Sequence, residues 1–187
     1  MQAATRALYR SRQFFGALRP RVDGELRADA FRLLREPEQR LFSTMTLRDQ
    51  QHCLQVYDRL RQRGHDDHEL LAAALLHDVG KGRIALWHRV VYVLLAAAAP
   101  GLLRLLAVSG QGPNWREALY RCRHHPGLGA ELARQAGCPN QVVALIGGED
   151  VDAQDGRLAA LQAADEAFGP SVSAELDEVL GRRPKRR

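Results

Sequence analysis

One stretch near the middle of the chain constrains the fold more than any other: residues 70–79 read LLAAALLHDV. Seven consecutive apolar residues leave no polar face, so a helix formed here has to be surrounded by other parts of the protein. Two titratable side chains, His77 and Asp78, stand at the end of this apolar run. Burying them without partners would be strongly unfavourable, so they require hydrogen-bond partners or a metal ion.

The rest of the chain also predicts helices. Apolar residues recur at helical spacing, Gly and Pro separate the segments, and no segment alternates with a period of two. A chain of 187 residues with 45% hydrophobic residues is long enough for one sizeable core. We therefore predict an all-α, single-domain helical bundle. The expected helices are 6–18, 25–34, 38–44, 47–63, 68–79, 84–99, 102–108, 115–123, 127–136, one that opens at Pro139 and fades at Gly147-Gly148, 157–168 and 172–180.

The charge is divided between the two ends and the body of the chain. The formal net charge is +5, yet residues 1–22 hold five arginines and no acid, and residues 182–187 hold five more basic side chains. The residues between carry 17 basic and 22 acidic side chains. We interpret the basic ends as solubilising tails. The acidic body and the lack of interleaved aromatic residues argue against a nucleic-acid partner.

The organisation that we predict has three parts. Residues 1–41 form N-terminal helices that pack on the core, residues 42–168 form the central domain, and residues 169–187 form a C-terminal helix and a basic disordered tail. Three cysteines without a CxxC pair suggest a reducing compartment, and the N-terminus lacks the continuous apolar segment of a secretory signal. We therefore expect a cytoplasmic protein.

No segment predicts a membrane span. The apolar uncharged run Val90 to Leu103 has 14 residues and contains Pro100, whereas a spanning helix needs about 20 apolar residues. We expect this run to form a buried helix or one side of a hydrophobic pocket. Peripheral contact with a membrane is the alternative that the sequence leaves open.

Two further polar residues fall where apolar ones are expected. His52 shares a helical stripe with Val56 and Leu60, which predicts that it faces the core. Asp165 falls on the apolar stripe of the predicted helix 157–168. A carboxylate in such a place needs a partner, because ionised carboxylates are almost never fully buried alone.

The spacing brings the first of these residues to the His-Asp pair. A short loop at Gly64 makes the predicted helices 47–63 and 68–79 antiparallel neighbours. The chain climbs roughly 18 Å from His52 to the turn and descends roughly 15 Å to His77, so the two imidazoles should lie at one level. Two imidazoles and two carboxylates suit manganese, iron, cobalt, nickel or zinc better than calcium. The alternative is a buried His–Asp hydrogen-bond network without a metal.

The order of these residues resembles the HD-domain superfamily of metal-dependent phosphohydrolases. That family has a His, then a His-Asp pair, then a distant Asp, on a bundle of helices. Here His52 is followed by AALLHDVGKG at 73–82 and by LQAADEA at 161–167, and the segment HHPGLGAELA at 124–133 also looks like the family. The resemblance covers about residues 42–168.

The resemblance implies a set of site residues. One divalent transition metal ion, Mn, Fe, Co, Ni or Zn, would be held by His52, His77, Asp78 and Asp165, and its bound water would attack phosphorus. The residues implied in catalysis are Asp78, Lys81 and His125. The residues implied in substrate binding are Lys81, His124, His125 and Arg89.

A second metal ion is not expected. In two-metal members of the family, the position that supplies a later histidine falls here in ALIGGED, residues 144–150, which holds no histidine. The alternatives are that Glu149 substitutes for that histidine, or that His125 orients the substrate or acts as a general acid. His124 is the alternative to His125 in these roles.

The function that the resemblance implies is hydrolysis of a phosphate ester. The expected substrate is a small nucleotide or related phosphometabolite. The main alternative is a non-catalytic HD module that binds a nucleotide or a partner protein and uses a metal or a His–Asp network structurally. Oxygen-dependent chemistry at a di-iron site would need more ligands than the sequence offers. The sequence leaves open the metal, the substrate and the oligomeric state.

Overall fold

The structure, a computed structural model, describes residues 24–110, 114–149 and 156–167. This part of the chain is helical between its turns and loops, and the predicted all-α bundle is confirmed. Its α-helices are α1 (Gly24–Leu33), α2 (Glu36–Thr44), α3 (Leu47–Gln62), α4 (His68–Leu76), α5 (Leu86–Ala98), α6 (Pro100–Leu106), α7 (Asn114–Gln135), α8 (Asn140–Gly147) and α9 (Arg157–Glu166). The predicted helices 6–18 and 172–180, Phe168 and the two basic ends lie outside the described residues.

Local sequence signals set where the central helices begin. Thr46 caps α3, since its hydroxyl oxygen accepts a hydrogen bond from the Asp49 amide at 3.3 Å. Asp67 caps α4 by accepting from the Leu70 amide at 2.7 Å. Side-chain caps of this kind satisfy amide groups that the first turn of a helix leaves without partners. They fix the two ends of the helical hairpin that the loop at Gly64 joins.

The apolar helix α4 forms the centre of the bundle. Every residue from Leu70 to Leu76 is buried. α4 contacts α3 and α8 most closely, and α1, α2 and α9 also pack on it. The prediction of a central buried helix is confirmed, because a helix without a polar face is covered on all sides.

The predicted helix 68–79 is wrong at its end. α4 ends at Leu76, and the chain then tightens into a 3₁₀ turn at Val79–Lys81. This turn packs against α7, where a Cβ atom on Gly80 would overlap the His125 carbonyl oxygen and lie 2.6 Å from the Gly129 amide nitrogen. The absence of a side chain at Gly80 is what permits this close approach.

The predicted break between helices 115–123 and 127–136 is also wrong. α7 runs without interruption from Asn114 to Gln135, with Pro126 inside it. Proline removes one backbone hydrogen bond from a helix interior. Here the side chain of His125 donates a hydrogen bond to the Cys122 carbonyl, which the proline leaves without a backbone donor. Packing against α8 and the 3₁₀ turn holds the helix on both sides of the proline.

The run Val90–Leu103, expected to form a buried helix or one side of a hydrophobic pocket, is not a buried helix, since it is divided between α5 and α6 and Leu103 is its buried residue. Among the residues of α5 whose side chains the structure describes, none is buried, and Trp87 and Leu94 are 55% and 41% exposed. α5 and α6 pack on each other and on α7 around a small separate cluster of Leu103, Ala107 and Leu119. The main core is already closed around α4, and among the described helices α7 is the one outside the hairpin that packs most closely on it.

A search of the described helices for a membrane span found none that combines sufficient length with sufficient apolar character.

Candidate metal centre

The two residues that end the central helix meet a histidine from the neighbouring helix. His52 lies on α3, and His77 and Asp78 follow the last turn of α4. One ligand atom from each of these side chains lies within 4.8 Å of the other two. The Nε2 atoms of His52 and His77 are 3.3 Å apart, which confirms that the two histidines lie at one level of the hairpin. This His-His-Asp group can hold a metal ion.

Asp165 reaches the same place from the last described helix. Its Oδ1 lies 2.8 Å from His52 Nε2 and 3.6 Å from His77 Nε2. Arg157, at the start of α9, donates a hydrogen bond to the Glu69 carboxylate on α4 at 2.9 Å and so holds α9 against the core. The side chain of Asp165 is 45% exposed, so this carboxylate lies on the solvent side of the cluster.

A backbone carbonyl fixes the orientation of His77. Its Nδ1 lies 2.8 Å from the carbonyl oxygen of Ala74. That carbonyl belongs to the last turn of α4, where helical partners are missing. Because a carbonyl can only accept, Nδ1 carries a proton, and Nε2 is the ring nitrogen that faces His52. Metal-binding histidines are commonly held in this way through their second ring nitrogen.

Pro126 provides an equivalent carbonyl for His125. Proline has no N–H, so the Cys122 carbonyl, four residues earlier, lacks its usual helical donor. The Nδ1 of His125 lies 3.0 Å from that oxygen and donates to it. His125 Nε2 is left with a lone pair, 3.8 Å from Asp78 Oδ1. The His-Pro sequence thus orients His125 towards the cluster within an uninterrupted helix.

Asp78 is 2% exposed and has different partners on its two oxygens. The Nζ of Lys81 lies 2.6 Å from Oδ2 and donates a hydrogen bond to it. Oδ1 faces the imidazoles, 3.5 Å from His77 Nε2 and 3.8 Å from His125 Nε2. Lys81 therefore holds the carboxylate in an orientation that presents Oδ1 to the histidines.

The charges in the cluster stabilise one another. Burial opposes ionisation of Asp78, yet the positive charges of His77 and Lys81 outweigh burial and hold the pKa of Asp78 well below its usual range. The pKa of Asp165 is lowered in the same way, since its contacts with His52 and His77 outweigh its partial burial. Burial also opposes a charge on His77, but Cys53 and then the carboxylates of Asp78 and Asp165 raise the pKa of His77 well above its usual value. The two carboxylates therefore attract positive charge to this point.

The distances are compatible with a bound metal ion. Ligand atoms at about 2.1 Å from one ion lie about 3–3.5 Å from each other. The Nε2 atoms of the two histidines are 3.3 Å apart, and His77 Nε2 is 3.5 Å from Asp78 Oδ1 and 3.6 Å from Asp165 Oδ1. Two imidazole nitrogens with carboxylate oxygens form a donor set typical of first-row transition metals.

The remaining predicted residues lie at different distances from the cluster. The guanidinium of Arg89 on α5 makes two hydrogen bonds, both of 2.8 Å, to the carboxylate of Asp49. His124 is exposed and its ring stacks on Tyr120, with the ring centroids 4.4 Å apart. Glu149 is exposed after the end of α8. Lys81 and His125 are therefore the predicted residues that the structure brings to the cluster besides His52, His77, Asp78 and Asp165.

Sequence reasoning missed a cysteine beside the cluster. The Sγ of Cys53 lies 3.7 Å from His77 Nδ1, and burial raises the pKa of this thiol. One signal in the sequence was usable, because Cys53 directly follows His52 on a helix that faces the core. Gly129 was also missed as a packing residue, since only the fold shows that it meets Gly80.

Comparisons of this chain with known proteins give no assignment. Neither the family models, nor the curated proteins, nor the solved structures gave a significant match.

Proposed function

We propose that this protein is a metal-dependent phosphohydrolase of the HD-domain type that acts on a small phosphorylated substrate. The observation that supports the proposal is the His52–His77–Asp78 group, whose ligand atoms lie within 4.8 Å of one another with Asp165 against both histidines. The proposed metal is one divalent ion, Mn, Fe, Co, Ni or Zn. The three cysteines are free, which supports a reducing, cytoplasmic location.

The proposed roles follow from what each side chain contacts. His52, His77, Asp78 and Asp165 would hold the ion, which supplies a water of lowered pKa and polarises a phosphoryl oxygen. Lys81 orients Asp78 and offers positive charge to a phosphate. His125 can bind the substrate or move a proton at Nε2, which faces the cluster because Nδ1 is held by the Cys122 carbonyl.

Arg89 and His124 are also proposed to contact the substrate, at a greater distance from the His-Asp cluster than Lys81 and His125. Arg89 already binds Asp49 through two N–H groups, which leaves other N–H groups of the guanidinium for a phosphate. His124 lies one position along α7 from His125 on an exposed face. We assign the shorter-range roles to Lys81 and His125.

The first experiment measures metal content by elemental mass spectrometry in wild type and in the His52→Ala and Asp78→Ala variants. Near-stoichiometric transition metal in wild type, with loss from both variants, is expected. The matched control is His65→Ala, because His65 lies at the far turn of the same hairpin. Absence of metal from wild type after reconstitution would contradict the proposal.

The second experiment tests hydrolysis on a panel of phosphate esters that includes small nucleotides. Turnover should be lost in Asp78→Ala while circular dichroism shows a retained helical fold. Turnover that persists in this variant at wild-type metal content would show that the cluster is not the catalytic site.

A third variant tests how His125 is oriented. Pro126→Ala gives the helix an N–H that competes with His125 Nδ1 for the Cys122 carbonyl. We expect a fall in kcat of about tenfold or more, within the range for a misplaced acid–base group, with metal content unchanged. Unchanged kcat would show that this hydrogen bond has no part in turnover.

A non-catalytic module is the second candidate. The observation that favours it is that the carboxylates of the cluster already have partners within the protein, since Lys81 binds Asp78 at 2.6 Å and His52 binds Asp165 at 2.8 Å. In that case no phosphate ester on the panel would be cleaved by metal-loaded protein. Tight binding of a nucleotide without cleavage would then favour this second function.

A further inference from the structure

Among the described residues, the exposed large apolar side chains are concentrated on one hairpin. Across the described residues, six large hydrophobic side chains are exposed, and one of them, Leu47, lies on α3. The other five belong to α5, α6 and the residues that follow: Trp87, Leu94, Leu102, Leu105 and Val108. We call this set the hairpin patch. Concentrated apolar exposure of this kind marks a surface that contacts something other than water.

The same region has an unusual charge. Residues 79–116 form the longest stretch of the chain without Asp or Glu, and they contain five Lys or Arg residues. Among these, Arg83 and Arg104 are exposed, and Arg104 lies on α6 between Leu102 and Leu105 in sequence. The body of the protein between the basic ends is acidic. The partner of the hairpin patch should therefore combine negative charge with an apolar interior.

We propose that the hairpin patch docks on the surface of an anionic lipid bilayer. Helices that lie in a membrane interface bury an apolar face to about 5–10 Å and place Lys or Arg among the headgroups. Trp87, at 55% exposure, has the amphipathic ring that favours the interface. Leu102 and Leu105 would enter the acyl boundary while Arg104 meets lipid phosphate. The hairpin lies on the surface in this arrangement and does not cross the bilayer.

The charge distribution disfavours a second copy of this chain as the occupant. A two-fold interface brings identical patches together. Two copies of an acid-free surface would place Arg104 near its own counterpart with no carboxylate from the same stretch to neutralise it. The apolar side chains likewise disfavour nucleic acid, whose surface offers phosphates but no apolar interior.

The attachment of the hairpin to the core suits this role. Arg89 of α5 binds buried Asp49 on α3, which holds the start of the hairpin to the main bundle. The apolar side chains that are buried in the hairpin, Leu103 and Ala107, pack with Leu119 of α7. The exposed leucines are thus not needed to close the main core, so they can be replaced without loss of the fold.

The test is binding of the full-length protein to vesicles of phosphatidylcholine containing about one third phosphatidylglycerol, followed by co-sedimentation. Wild type should bind these vesicles and bind pure phosphatidylcholine much more weakly. The Leu102→Gln/Leu105→Gln variant should bind about tenfold more weakly, since binding scales with buried apolar area. Leu47→Gln, which removes an equally exposed leucine outside the patch, should bind as wild type does.

A second measurement reports on the patch directly. In a Trp115→Phe background, Trp87 is the remaining tryptophan, and its emission should shift to the blue when anionic vesicles are added. Both basic ends stay in every protein compared, so binding through them alone would be the same in all variants.

Three results would overturn the proposal. These are no binding of wild type to anionic vesicles, equal binding by the Leu102→Gln/Leu105→Gln variant, and a dimer in light scattering that this variant abolishes while vesicle binding is unaffected. None of them bears on the metal site, because no residue altered here belongs to it.

Discussion

The apolar helices α4 and α5 are alike in sequence and opposite in structure. α4 reads HELLAAALL and is buried at every position from Leu70 onwards, whereas α5 reads LWHRVVYVLLAAA and has no buried residue among its described side chains. α4 contacts helices on several sides, while α5 packs mainly on α6 and α7. Apolar composition therefore predicts that a helix will be buried against other residues. The arrangement of the other helices decides whether this chain supplies those residues.

The charged residues near each helix differ in the same way. α4 is followed directly by a His-Asp pair whose side chains have partners on three other elements: α3, α7 and α9. α5 is tied to the bundle by Arg89 and has no acidic residue of its own. The first arrangement fits an internal site, and the second fits a surface that meets an external partner.

The largest expected effect comes from shortening one leucine in each helix. Leu75→Ala should destabilise the fold by about 2–5 kcal/mol, because it opens a cavity in the core. Leu94→Ala on α5 should change the free energy of unfolding by less than about 1 kcal/mol, since Leu94 is 41% exposed. Urea unfolding followed by circular dichroism measures both, and equal losses would break the comparison.

Two glycines give the next test. Gly80→Ala should destabilise by about 3 kcal/mol, because a Cβ there overlaps backbone atoms of α7 and over-packed sites have little room to adjust. Gly101→Ala on α6 meets nothing within 4 Å and should be neutral or slightly stabilising. Thermal unfolding of the two variants measures the difference, and a stable Gly80→Ala protein would show that the turn can move away from α7.

The attachment of α5 can be weakened at its ion pair. Arg89→Met leaves the Asp49 carboxylate buried without its partner and should cost about 2 kcal/mol. Arg104→Met, an exposed arginine on the same hairpin, should change stability by less than about 0.5 kcal/mol. The Asp49→Asn/Arg89→Met double variant should recover part of the loss, and a complete absence of coupling would show that the pair does not hold α5.

The smallest expected effect is the gain in folding stability on metal binding, which should depend on the His-Asp cluster and not on the hairpin patch. If the His-Asp cluster holds the ion, tenfold excess of metal over its Kd should stabilise the fold by about 1.4 kcal/mol. Leu105→Gln should show the same gain, because this residue lies on the hairpin patch. Asp78→Asn should show none. Differential scanning fluorimetry with and without chelator measures this, and an equal gain in Asp78→Asn would place the metal elsewhere.

Part of the candidate site could be read from the sequence because helical geometry is regular. The rise per residue places His52 and His77 at one level once a short loop is assumed, and the Nε2 atoms are indeed 3.3 Å apart. His125 could be named from its motif, but the reason for its orientation could not. That reason depends on α7 continuing through Pro126, which the sequence reads as a break.

The sequence by itself determined the helical class, the central position of α4 and the meeting of two histidines with Asp78, because these follow from local periodicity, caps and loop length. Only the tertiary structure decided that α4 ends at Leu76, that Gly80 packs on Gly129, and that α5 is left exposed. Each of these depends on contacts between residues far apart in the chain. The free energy of such contacts cannot be read from a local sequence pattern, because the contacts form only when the helices pack together.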